Sequence, residues 1–101
     1  MNEAKKILVV EDESHLAKGL QFNLEREGYI VSLVDNGQSA IELLGEQVFD
    51  LMILDIMLPK LNGLEVARRV RKTDLRFPIL MLSAKSSDEE IRQYRGYVDA
   101  L

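Results

Sequence analysis

The sequence predicts an α/β fold, a doubly wound parallel sheet with helices on both faces. Three observations carry this expectation. Short runs rich in Ile, Leu and Val recur at Ile7 to Val10, Tyr29 to Val34, Leu51 to Leu54 and Ile79 to Leu82. They lack strict polar alternation, as strands buried on both faces do. After each run comes a stretch whose apolar residues recur at helical spacing, and right-handed crossovers turn such an alternation into an open sheet covered on both sides.

The elements follow in order. After the first run, Ser14 is expected to cap a helix carrying Leu16, Leu20 and Leu24, with Gly28 closing it. After the second, Asp35, Asn36 and Gly37 form a turn, and Ala40, Ile41, Leu44 and Val48 make one helical stripe. After the third, Pro59, Asn62 and Gly63 break the chain. Asn62 with Glu65 is expected to form a capping box for a helix that turns Val66, Ala67 and Val70 inward. After the fourth, Ser87 and Glu90 form another such box ahead of Ile91, Tyr94, Val98 and Leu101, and the chain stops on that helix.

Composition narrows the function. The chain has 101 residues, 47% hydrophobic and 30% charged, which suits one compact domain. A net charge of −4 argues against nucleic-acid binding by bulk charge. One stretch runs the other way: Lys60, Arg68, Arg69, Arg71, Lys72 and Arg76 face only Glu65 and Asp74 between residues 60 and 76, and read as a solvated helix face. The absence of cysteine excludes disulfides, thiolate metal sites and cysteine nucleophiles. The longest apolar runs, at four residues, are too short to span a bilayer, and the start MNEAKK lacks a signal-peptide core. A cytoplasmic protein with no membrane partner is expected.

In open α/β sheets, ligands bind beyond the carboxyl ends of the strands. The first run ends in Glu11, Asp12 and Glu13, the third in Asp55, and the fourth in Ser83, Ala84 and Lys85. If strands one and three are neighbours, Asp12 and Asp55 approach each other and need a positive charge between them. With oxygen donors only, a hard divalent cation such as Mg²⁺ fits. Glu13 reads more simply as a cap for the next helix, His15 as a surface residue, and Ser83 alone as a strand-end hydroxyl bonded to backbone.

In combination these residues resemble the receiver domain of two-component response regulators. KKILVVEDE resembles its first strand with the acidic pair Glu11 and Asp12. DLMILDIMLPKLNGLEVARRVR resembles its third strand, acceptor loop and third helix, with Pro59 four and Gly63 eight residues after Asp55. PILMLSAK resembles its fourth strand. The resemblance covers essentially the whole chain. It implies a flavodoxin-like sheet of order 2-1-3-4-5 and phosphoryl transfer from a histidine kinase, or a small phosphodonor, onto Asp55. It also implies that Asp12, Asp55 and the Met57 carbonyl hold Mg²⁺, that Glu11 acts through water, and that Ser83 and the Ala84 backbone bind the phosphoryl group. Such a domain is a phosphoacceptor and not an enzyme in the usual sense.

The sequence departs from the family in one respect. A fifth strand ending in the lysine that pairs with the phosphoryl group, and a fifth helix, have no counterpart here, and Lys85 is not at that position. Residues 1–101 therefore read as a receiver domain truncated after its fourth helix, with no effector domain and with phosphorylation impaired. The missing strand would leave the fourth strand as an open edge and favour self-association. The alternative reading is a non-phosphorylated, receiver-like interaction module that pairs through this edge. A haloacid-dehalogenase-type phosphatase fails because Met57 stands where a second aspartate is needed, and no Gly-rich phosphate loop supports nucleotide binding.

Overall fold

The computed structural model describes residues 4–82. They form β1 (Lys6–Val10), α1 (Ser14–Arg26), β2 (Ile30–Val34), α2 (Gly37–Glu46), β3 (Leu51–Asp55), α3 (Gly63–Thr73) and β4 (Ile79–Leu82). All strand pairs are parallel, in the order β2-β1-β3-β4. The chain steps from β1 to one side for β2 and to the other for β3, so the order reverses between β1 and β3. That crevice is where ligands bind in open α/β sheets. The expected fourth helix, with Ser87, Glu90, Ile91, Tyr94, Val98 and Leu101, lies outside the described residues, as do Ser83, Ala84 and Lys85.

Side-chain alternation along each strand divides the core in two. On one face Leu8, Val10, Met52, Leu54 and Ile79 pack with Ala40 of α2 and with Val66, Ala67 and Val70 of α3. On the other, Ile7, Val9 and Ile53 meet Leu20 and Leu24 of α1. The central strands β1 and β3 are buried on both faces, whereas β2 is half-exposed throughout, because it is paired on one side only.

Several local expectations are corrected. Ser14 is the first helical residue and not the cap. Glu13 caps α1, its carboxylate accepting from the N–H groups of His15 and Leu16 at 3.1 and 2.8 Å. One carboxylate thus satisfies two orphan donors, which a serine hydroxyl could not do as readily. Leu16 faces solvent, and Ala17 takes the buried position beside Leu20 and Leu24. Gly28 closes α1 as expected. At φ 95° its N–H donates to the Glu25 carbonyl while Tyr29 donates to Leu24, so Tyr29 completes the helix end and β2 begins one residue later.

α2 stops at Glu46 because Gln47 turns to an extended backbone, which takes Val48 off the helical stripe. Val48 is 84% exposed, and Phe49 enters the core in its place. Asn62 caps α3 through Leu64 N–H at 2.7 Å, but Glu65 does not reach back to complete a box. Its carboxylate is held instead by Arg68 and Arg69 one turn along the helix.

Candidate functional site

Glu11 N–H donates to the Val34 carbonyl at 3.0 Å, extending the β1–β2 ladder one residue beyond Val10. Glu11 is thereby carried into the β1/β3 crevice, 5% exposed. Asp12 follows it at the surface, and half-buried Asp55 ends β3, whose Leu54 is in register with Val10. Carboxylate oxygens of Glu11, Asp12 and Asp55 lie within 4.8 Å of one another. Two unit charges at that distance repel by about 3 kcal/mol at an effective dielectric of about 20. Burial pushes the Glu11 carboxyl above its ordinary range. The Glu13 N–H, donating to Glu11 at 3.0 Å, opposes the rise, and the neighbouring charges of Asp55 and Asp12 reinforce it. An all-oxygen donor set with surplus negative charge matches a hard divalent cation.

The loop after Asp55 is tightly built. Met57 N–H donates to Asp55 Oδ1 at 3.3 Å, and Leu58 and Gly63 both donate to the Ile56 carbonyl, at 3.0 and 2.9 Å. Pro59 and Lys60 form its exposed tip. A Cβ on Gly63 would stand 2.0 Å from the Asp55 carbonyl oxygen, so the loop closes at its neck only with glycine there. Ile56 is buried while Met57 is 61% exposed, which divides the loop into an anchored and a solvent-facing side.

Sequence reasoning read Asp35, Asn36 and Gly37 only as a turn. Asp35, at the end of β2, joins Glu11 and Asp12 in lining a cleft of about 440 Å³ between the starts of α1 and α2, with Lys18 at its wall. The signal was available, since Asp35 follows the apolar run of its strand as Asp55 follows Leu51 to Leu54. His15 is exposed, as expected.

The strand-end carboxylates at the switch point, the loop and its glycine neck coincide with a match over residues 7–97 to the family model for the response regulator receiver domain. The chain belongs to that family. This receiver domain is 49% identical over 92 residues to the alkaline phosphatase synthesis transcriptional regulatory protein PhoP of Bacillus subtilis, a match covering 91% of the chain and 38% of PhoP. It is 47% identical over 85 residues to YkoG, an uncharacterized transcriptional regulatory protein of the same organism, covering 84% of the chain and 37% of YkoG. The receiver domain thus spans well under half the length of these two relatives.

Among solved structures it is similar to the response regulator TrrA of Thermotoga maritima in complex with Mg²⁺-BeF. That match has a TM-score of 0.86 and 35% identity, and covers 95% of this chain and 83% of the other. A receiver domain from Francisella matches with a TM-score of 0.86 at 27% identity, covering 96% and 82%. No helix among the described residues is long and apolar enough to cross a membrane.

Proposed function

We propose that this receiver domain accepts a phosphoryl group on Asp55 from a histidine kinase or a small phosphodonor, in a Mg²⁺-dependent reaction in the cytoplasm. The observation that supports this best is the Asp55 carboxylate at the end of β3, within 4.8 Å of those of Glu11 and Asp12. Asp12, Asp55 and the Met57 carbonyl would hold Mg²⁺, with Glu11 acting through water. Bound there, Mg²⁺ supplies the charge that a cluster of carboxylates needs before it can receive an anionic group.

The chain's own residues do the rest. The Asp55 oxygen attacks phosphorus in line. The phosphorus–nitrogen bond of a phosphohistidine breaks as the oxygen–phosphorus bond forms, and the imidazole leaves with the electron pair and takes a proton from solvent. Ser83 and the Ala84 backbone are assigned to the phosphoryl oxygens. Pro59 and Gly63 shape the loop that holds Asp55. Later attack by water on phosphorus returns the carboxylate and inorganic phosphate.

The test is incubation with a small acyl phosphate and Mg²⁺. A mass gain of one phosphate, lost in Asp55→Asn, is expected, and a gain that survives the substitution overturns the assignment.

A further inference from the structure

The first residue of α2 and the far end of the acceptor loop meet backbone to backbone, with no room for a methyl group between them. A Cβ on Gly37 would lie 2.0 Å from the carbonyl oxygen of Leu61 and 2.7 Å from the Leu61 Cβ. Non-bonded C···O contacts ordinarily begin at about 3.3 Å, so any larger residue would drive that carbonyl back by about 1 Å. Conformation does not explain this glycine, because among the described residues only Gly28 is a glycine at positive φ. Gly37 is also firmly placed. It follows the cap Asn36, itself 5% exposed, whose side chain accepts from Ser39 N–H at 2.8 Å and donates to Asp35 at 2.8 Å.

What Gly37 presses against is strained. Lys60 has φ 66°, the one positive φ outside glycine among the described residues, and Leu61 N–H closes a tight turn onto the Pro59 carbonyl at 2.7 Å. Such turns persist where their surroundings over-determine them. Here the Leu58 and Leu61 side chains pack against the core, and Gly37 meets the backbone side of the turn. With Gly63 closing the neck, the loop is fixed by close approaches at both ends, and Met57 lies between them.

We infer that Gly37 is a positioning residue for the acceptor loop, its contact with the Leu61 carbonyl holding the strained turn at Lys60 and with it the segment that follows Asp55. Gly37 touches no proposed ligand and acts only through Leu61. The inference rests on the Mg²⁺-dependent reading above for its binding readout, and on loop geometry for the other.

The experiment is a Mg²⁺ titration followed by amide resonances in the wild-type chain, in Gly37→Ala and in Gly37→Ala/Lys60→Gly. In Gly37→Ala the amides of residues 56–62 are displaced before any Mg²⁺ is added, and Mg²⁺ binds at least about tenfold more weakly. Lys60→Gly removes the cost of positive φ, lets the turn reseat, and recovers part of the lost affinity. A merely structural glycine would lower the melting temperature and leave the affinity of the folded protein unchanged. That result, with loop amides in place, overturns the inference. If the wild-type chain binds no Mg²⁺, the functional reading falls, and the Mg²⁺-free loop amides alone decide whether Gly37 holds the loop. Should Gly37→Ala not fold, reciprocity carries the test: Mg²⁺ must shift the wild-type Gly37 amide along with the loop, and a loop that moves without it overturns the inference.

Discussion

Gly63 closes on the carbonyl of Asp55, the residue it follows by eight positions, at a distance that leaves 2.0 Å between that oxygen and any Cβ placed on the glycine. Gly63 is also the first residue of α3, where alanine would ordinarily be the better helix former. The two effects oppose each other, and the contact dominates because the obstructing atom is backbone.

Gly63→Ala is therefore expected to destabilise the domain by about 1–3 kcal/mol, as overpacking does. Gly19, within α1, has nothing within 4 Å of its would-be Cβ, so Gly19→Ala is expected to stabilise by about 0.5–1 kcal/mol. Urea unfolding of the two variants side by side checks the opposite signs.

The carboxylate cluster makes a second prediction. Without a cation, Glu11, Asp12 and Asp55 repel within 4.8 Å. Asp12→Asn should raise the melting temperature in chelator and abolish the further rise that Mg²⁺ gives the wild type. A ligand at 100 times its dissociation constant adds about 2.7 kcal/mol, so the wild-type rise should be readily measured. Equal Mg²⁺ responses in the two proteins would contradict the site.

Much of this was legible in the sequence, and the exceptions share a cause. The strands were found because runs such as Leu51 to Leu54 are apolar throughout, and adjacency of β1 and β3 then brings Asp12 and Asp55 together. The carbonyl contacts of Gly37 and Gly63 were not legible, because nothing in the spelling of a glycine distinguishes close approach from a turn. Nor was the direction taken by Glu65, for which a reciprocal cap and a pair of arginines one turn away are equally good partners on paper. Val48 fits the helical stripe by spacing, yet the backbone of Gln47 ends the helix before it.

Glu65 gives a prediction in pH. Hydrogen bonds from Arg68 and Arg69 hold its carboxyl down to about 2 from an ordinary 4.5. A lowered folded-state value means that the stabilisation is complete above about 4.5 and is lost as the pH falls through about 2. Because the pair is solvent-exposed, its effect on stability is small and shrinks with salt. A side-chain carboxyl titration by NMR should find Glu65 still ionised near pH 3, and a midpoint in the ordinary glutamate range would remove the prediction.

The last prediction concerns Phe49 and Val48, neighbours with opposite fates. Phe49 is 5% exposed, lies two residues before β3 begins, and packs in the larger core cluster. Around it the start of β1 is tied to the start of β3. Lys6 N–H donates to Asp50 Oδ2 at 2.7 Å, Asp50 N–H returns to the Lys6 carbonyl at 2.7 Å, and Lys6 Nζ reaches Gln47 at 3.0 Å while lying 5.1 Å from the Phe49 ring centre. Phe49→Ala removes the ring from the core and leaves a cavity, at a cost of about 3–5 kcal/mol. Val48→Ala removes two methyl groups already in water and should change stability by no more than about 0.5 kcal/mol. Lys6→Met keeps the apolar stem but loses both the cation above the ring and the exposed bond to Gln47, and should cost about 0.5–1 kcal/mol together. Chemical denaturation of the three variants separates these contributions. A Val48→Ala loss as large as that of Phe49→Ala would mean that α2 continues through residue 48 and that the helical stripe read from spacing is the correct one.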